Sequence, residues 1–276
     1  MVTSILYVLT EVEEEKYITE NRKLWNARVP VHVDSEFYGM KDFMEGKSSL
    51  KPIELELLGD IKGKSILHLQ CHFGQDTISL ARMGASVTGV DLSDAAIEKA
   101  REINHQAGTD AEFICCDLYS LPQYLDKKFD LVFTSYGTIG WLPDMDQWAH
   151  IVSYFLKPGG GFVFVEFHPV VWMFDSHFKE VTYSYFNVAP IIEESTGTYT
   201  DRNAPIQQVE YGWNHSLDEV LSALLHHDLI LTHFKEYNYS PYNCFQHLVK
   251  ENEDQYYIEH AGKKIPMVYS LKATRK

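Results

Sequence analysis

The nine residues Ile66-Leu67-His68-Leu69-Gln70-Cys71-His72-Phe73-Gly74 read as an apolar strand that turns almost at once into a helix. They open a stretch, residues 64–168, in which short β-branched or aromatic runs alternate with amphipathic segments. Strands that alternate with helices in this way build a parallel sheet through right-handed crossovers, so the pattern fixes an α/β class. Its strands are expected at 65–69, 86–90, 112–116, 131–135 and 161–167. Helices are expected at 76–83, at 93–107 with Ser93 as cap and Ala96, Ile97 and Ala100 facing inward, and at 148–156. The last of these stops at the breaker Lys157-Pro158-Gly159-Gly160. Further on, Ser216 and Glu219 form a capping box for a helix through Leu217, Val220, Leu221, Leu224 and Leu225. Segments 229–234 and 267–271 then read as two closing strands, an antiparallel pair at the sheet edge joined by an excursion of about thirty residues.

Two regions stand outside this frame. Residues 1–62 are expected to form an N-terminal helical cap segment, and 63–276 the sheet domain with an inserted cap at 170–213. In that insert Val181, Tyr183 and Tyr185 alternate with polar residues, and Gly197 and Tyr199 lie in a second β-prone run, which predicts an antiparallel ribbon. A length of 276 residues suits one core with such additions. The formal net charge of −15 sets up a field that repels phosphate backbones and anionic membranes, which leaves small molecules as the expected partners and oligomeric state open. Cys71, Cys115, Cys116 and Cys244 lack both C-x-x-C spacing and the density of a disulfide scaffold, as expected of reduced thiols in a cytoplasm. The apolar run 4–9 has no basic residue before it and Glu13, Glu14 and Glu15 after it, unlike a secretory leader; it reads as a strand or helix edge.

The turn 69–74 faces the carboxyl edge of the sheet, where backbone amides and the next helix N-terminus meet a ligand in such folds. Asp91 ends the second strand, where a carboxylate accepts from both ribose hydroxyls of an adenosine, with Leu92 beside it. Asp117 ends the third, placed to accept from an adenine amino group while the Leu118 amide meets a ring nitrogen. Ser135, Tyr136, Gly137 and Thr138 end the fourth, near the reacting end of such a ligand. His68 and His72 are four apart on strand and loop, which does not bring them to one face, so no metal is expected there, nor at His226 and His227.

With these residues in place, the chain resembles the class I S-adenosylmethionine-dependent methyltransferases over about residues 60–168. The segment 66–74 is similar to the family's first motif, Asp91 to its ribose acid, Asp117 to its adenine acid, 129–137 to its fourth strand and 156–160 to its Leu-Lys-Pro-Gly-Gly turn. The wording His-Leu-Gln-Cys-His-Phe-Gly also resembles a bacterial small-molecule subgroup. The resemblance implies a Rossmann-like seven-stranded methyltransferase sheet, mostly parallel with an antiparallel last strand. It also implies binding of S-adenosylmethionine by His68, Gln70, Cys71, His72, Gly74, Asp91, Leu92, Asp117, Leu118, Ser135, Tyr136 and Gly137, and release of S-adenosylhomocysteine. Gln70 and His72 stand at usual glycine positions and His68 replaces the usual strand acid. A dinucleotide needs those glycines so that its pyrophosphate can approach the backbone, whereas S-adenosylmethionine has no phosphate, which disfavours an NAD-dependent oxidoreductase.

Under this reading the protein mainly aligns donor and acceptor and excludes water. Where the acceptor must lose a proton, His168, with Glu166 behind it, is the candidate base. Tyr136, Trp141 and Trp25 are aromatic candidates around sulfonium and acceptor. Tyr183 and Tyr185, with Tyr199, Tyr211, Tyr237, Tyr239 and Tyr242, are candidates for an amphipathic acceptor pocket. The other class of function compatible with the motifs is a sensor or scaffold that binds the cofactor without turnover.

Overall fold

The computed structural model describes the backbone of residues 11–276 and side chains from Lys16 onward; the apolar run 4–9 lies outside the described residues. Three helices come first, α1 (Glu11–Val33), α2 (Met40–Met44) and α3 (Pro52–Leu58). Then β1 (Ser65–Leu69), α4 (Gln75–Arg82), β2 (Ser86–Asp91), α5 (Asp94–Ala107), β3 (Glu112–Cys115), β4 (Phe129–Ser135), α6 (Met145–Phe155) and β5 (Leu156–Phe167) alternate. After β6 (Ile191–Thr196), β7 (Gln207–Gly212) and α7 (Leu217–His226) come β8 (Leu229–Tyr237) and, last in the chain, β13 (Val268–Arg275). Between those two lie the short strands β9 (Val249–Asn252), β10 (Gln255–Tyr257), β11 (Glu259–His260) and β12 (Lys263–Lys264).

Seven strands form one sheet in the order β3-β2-β1-β4-β5-β13-β8, with β13 antiparallel to both neighbours. This is the mostly parallel, Rossmann-like sheet that the motif order implies. The closing pair is antiparallel as expected, but β13 lies inside the sheet and β8 takes the edge. Burial on both faces explains the continuous apolar runs. In β5, Phe162 and Phe164 point to the side where Trp148 and Phe155 of α6 and Val220 and Leu224 of α7 pack. Val163 and Val165 point to the other side, against Ile53, Leu57 and Leu58 of α3.

The caps form where local chemistry calls for them. Ser93 Oγ accepts from the Ala96 amide at 3.0 Å and Ser216 Oγ from the Glu219 amide at 3.2 Å. Helix α6 starts earlier than the apolar pattern indicates, because Asp144 caps it by accepting from the Gln147 amide at 3.0 Å. Lys157-Pro158-Gly159-Gly160 does not separate helix from strand: β5 begins at Leu156, opposite Phe129, and its register with β4 shifts before Gly161 meets Leu131.

The inserted ribbon lies later than expected. It is the antiparallel pair β6–β7, whereas Val181 makes only an isolated bridge to Phe174 and is 61% exposed. Alternation at 181–185 therefore marks no buried face, and Gly197 and Tyr199 fall after β6, where Gly197 turns with φ +72°. Helix α1 docks on this ribbon through a side chain that imitates a strand partner: Asn21 Nδ2 donates to Tyr211 O at 2.9 Å and its Oδ1 accepts from the Tyr211 amide at 3.0 Å. No helix among the described residues is long and apolar enough to cross a membrane.

Gly74 opens α4 at φ +78°, and a Cβ there would stand 2.7 Å from the Phe113 ring. Gly74→Ala should cost about 2–4 kcal/mol through left-handed strain and overpacking. Urea denaturation of the variant against the parent reads that loss, and an unchanged midpoint would refute this packing.

Candidate functional site

A parallel sheet ends all its strands along one edge, and there each backbone must turn away from its ladder. After β1 the turn places Gln70 at φ 54°, His72 at φ 51° and Gly74 at φ 78°. Gln70 and His72 thus hold the left-handed backbone that glycine usually supplies, at a cost of about 1–2 kcal/mol each. Specific contacts hold them there. Gln70 Nε2 donates to Thr138 O at 2.7 Å, the His72 amide donates to Asp91 Oδ2 at 2.7 Å, and His72 Nε2 meets His32 Nδ1 at 3.0 Å.

Carboxylates organise the rest of the edge. Besides the His72 amide, Asp91 accepts from the Ser93 amide at 2.9 Å on its other oxygen. Burial pushes the Asp91 carboxyl up to about 6 against those hydrogen bonds. Asp117 Oδ2 accepts from the amides of Tyr119 at 2.9 Å and Ser120 at 3.2 Å, so it closes its own turn. Burial raises its pKa as well. Glu166, 2% exposed, accepts from the Gly137 amide, from Thr138 N at 2.7 Å, Ile139 N at 3.2 Å and Phe167 N at 2.6 Å. That fan of donors pins the turn after β4, where Tyr136 and Gly137 take φ 46° and 73°.

These turns surround one cavity of about 1070 Å³. His68, Gln70, Cys71, His72, Gly74, Asp91, Leu92, Asp117, Leu118, Ser135, Tyr136, Gly137 and Trp25 all line it, as do Trp141 and Tyr183. Trp25 of α1 meets His72 and Trp141 edge to face, each at 5.2 Å. His68 is 3% exposed and its Nδ1 meets Thr77 Oγ1 at 2.8 Å; burial lowers its pKa to about 3, so it is neutral and ties β1 to α4. His68 and His72 therefore serve different partners, Thr77 and His32.

Six expected residues lie elsewhere. His168 is outside the cavity lining: its Nε2 pairs with Glu236 at 2.9 Å and its amide donates to Met267 O. Nor does Glu166 stand behind it, since that carboxylate is committed to the turn after β4. Tyr185 is also outside, its hydroxyl accepting from the Leu217 amide at 3.3 Å; Tyr211, Tyr237 and Tyr239 do not line the cavity, whereas Tyr199 and Tyr242 do. Sequence reasoning passed over Arg28, Tyr38, Asp76 and Phe245, which line it as well. Asp76 was within reach, as an acidic residue in the first turn after the cofactor loop; Phe245 sits in the excursion between β8 and β13, which carries no motif.

Beneath the cavity floor Glu54 is fully buried. It accepts from Tyr136 Oη at 2.8 Å and from the Lys51 amide at 2.9 Å. Burial, with the charge of Asp76 adding to it, pushes its pKa up to about 8. The native state thus holds a proton that the unfolded chain releases near 4.5, so this stabilisation is complete below that pH and lost as pH rises through about 8. Glu54→Gln should flatten that alkaline decline, read as melting temperature against pH; an unchanged slope would count against the buried, protonated acid.

Residues 66–160 match a family model described as a methyltransferase domain. Over 134 residues the chain is 35% identical to an uncharacterised methyltransferase of Synechocystis sp., covering 47% of this chain and 59% of that protein. Over 153 residues it is 27% identical to a ubiquinone biosynthesis O-methyltransferase of Chromobacterium violaceum, covering 54% of this chain and 60% of that one. The chain therefore spans about three fifths of the length of these curated relatives. In fold it resembles an S-adenosylmethionine-dependent methyltransferase of Clostridium acetobutylicum, with a TM-score of 0.57 at 16% identity over 92% of this chain and 98% of that one. The family match begins inside β1 and ends in the bulge entering β5, so the similarity to a methyltransferase domain falls on the core of the seven-stranded sheet.

Proposed function

We propose that the chain transfers the methyl group of S-adenosylmethionine to a small-molecule acceptor held between the sheet edge and the caps built from residues 11–62 and 170–213. One observation carries this reading: Asp91 and Asp117, ending adjacent parallel strands, open into the same cavity. Each carboxylate retains acceptor capacity after its backbone bonds. Asp91 would take the ribose hydroxyls, Asp117 the adenine amino group with the Leu118 amide beside it, and Leu92 would border the adenosine. Two orphaned buried atoms fit the other end of the ligand. Among the described residues Gln70 Oε1 has no partner, an acceptor for the α-ammonium, and Arg28 Nε has none, a donor for the carboxylate.

When bound, S-adenosylmethionine supplies an electrophilic methyl group. The protein's part is to hold and align the partners and to keep water out. Drug-sized ligands occupy sites of about 300–1000 Å³, so 1070 Å³ leaves space for donor and acceptor together. A dinucleotide fits less well, because the His72 amide already donates to a carboxylate where a pyrophosphate would need it. The acidic balance supports a small-molecule partner in the cytoplasm over nucleic acid or a membrane surface.

Asp91→Ala should weaken S-adenosylhomocysteine binding by about 1–3 kcal/mol, roughly 5- to 150-fold. Calorimetry on cofactor-stripped protein reads this; no heat from the parent chain would end the proposal. Because the charged carboxylate is the acceptor, affinity should level off well above pH 6 and fall as pH drops through about 6 and Asp91 takes up its proton. Asp91→Asn should remove that acid limb, and its persistence would place the titrating group elsewhere.

A further inference from the structure

Beyond Ser135 the cavity changes character. Its walls there are Phe37, Tyr38, Tyr136, Tyr199 and Tyr242. Phe37 lies 5.1 Å from Tyr38, 5.4 Å from Tyr199 and 5.6 Å from Tyr242, and Tyr136 lies 5.0 Å from Tyr242. The hydroxyls of Tyr38 and Tyr199 hydrogen-bond each other. This box comes from four separate stretches of chain: the α1–α2 connection, the turn after β4, the β6–β7 turn and the excursion after β8.

Asp76, in the first turn of α4, is the acid of that box. Ser49 Oγ donates to its Oδ1 at 2.6 Å and Ser135 Oγ to its Oδ2 at 3.4 Å, and it has no ion-pair partner among the described residues. It lines the same cavity as Tyr38, Tyr136 and Tyr242, and the Ser135 that donates to it directly precedes Tyr136. Burial raises its pKa against the hydrogen bonds of both serines and the charge of Lys51, whose ammonium lies 5.1 Å from the Tyr242 ring centroid and pairs with Asp254.

The surrounding charges point the same way. Nine acidic and four basic residues line the cavity. Each cation is already engaged: Arg28 with Glu210 at 2.7 Å, Lys47 with Asp42 at 3.4 Å, Lys51 with Asp254 at 2.9 Å, and Arg202 with Cys244 O at 3.2 Å. The single net positive charge of S-adenosylmethionine leaves an acidic excess. An anionic acceptor would meet that excess, whereas an ammonium would meet Asp76 and the faces of electron-rich rings together.

Resting on the methyltransferase reading, we propose that the acceptor is a small molecule carrying a protonated amine on an apolar, ring-sized body, with the ammonium held by Asp76 inside the box of Phe37, Tyr38, Tyr136, Tyr199 and Tyr242.

The test is calorimetry on the full chain saturated with S-adenosylhomocysteine, using three probes of similar shape: 2-phenylethylamine, 2-phenylethanol and 3-phenylpropanoate. The amine should bind, the alcohol about tenfold or more weaker, and the carboxylate without detectable heat. Asp76→Asn should weaken the amine about 10- to 100-fold while S-adenosylhomocysteine binding stays unchanged. Tyr242→Leu, on the excursion after β8 and outside α4, should weaken it about three- to tenfold, which keeps the idea testable if the first variant folds poorly. The proposal is overturned if the carboxylate binds as well as the amine, if no probe binds, or if the amine is indifferent to both substitutions. Weakened S-adenosylhomocysteine binding in Asp76→Asn would assign that carboxylate to the cofactor instead, and so overturn it too. Failure of the parent chain to bind S-adenosylhomocysteine at all would be distinct, removing the methyltransferase reading and this one with it.

Discussion

Backbone amides released at the carboxyl edge of the parallel sheet have to find acceptors, and in this protein three carboxylates supply them. Asp91 takes the amides of His72 and Ser93, Asp117 those of Tyr119 and Ser120, and Glu166 those of Gly137, Thr138, Ile139 and Phe167. A buried amide without a partner costs about as much as a lost hydrogen bond, so the turns stand only because these acids are present. Two of the acids keep an open side toward the cavity, while Glu166 is enclosed. Structural support and ligand recognition are thus carried by the same kind of group at the same edge.

That arrangement bears on which ligand the edge takes. Where a phosphate site offers amides to an anion, this edge has already spent them on its own carboxylates and presents acids instead. A ligand rich in donors and carrying positive charge is the complement, and S-adenosylmethionine has both properties. The left-handed backbone at Gln70 and His72 belongs to the same picture: the turn keeps its glycine geometry although side chains occupy it. Those side chains are used, Gln70 to reach Thr138 in the turn after β4 and His72 to meet His32 of the N-terminal helix. The cap is therefore tied to the cofactor loop directly.

Legibility in the sequence followed the range of the interactions. Strands β1 to β4 were readable because their apolar runs and bounding turns are local, and Asp91 and Asp117 because a strand end is a local position. The ribbon of the insert was misplaced, since alternation at Val181, Tyr183 and Tyr185 records side-chain type and not which face finds a partner. His168 looked well placed as a base because it follows β5, yet its ring pairs with Glu236 of β8, a neighbour brought near only by β13 lying between β5 and β8. Glu166 looked secondary and instead anchors the turn after β4.

By itself the sequence determined the parallel sheet, its helical crossovers and the acids at the strand ends, since hydrophobic period and capping residues act over a few positions. Only the tertiary structure decided the aromatic box, because Phe37, Tyr136, Tyr199 and Tyr242 lie up to about two hundred residues apart and meet through the docking of α1, the ribbon and the late excursion on one edge. It also decided which acids remain open to a ligand and which are consumed by the backbone. Such accounting depends on the three-dimensional pairing of donors with acceptors, which a linear pattern does not encode.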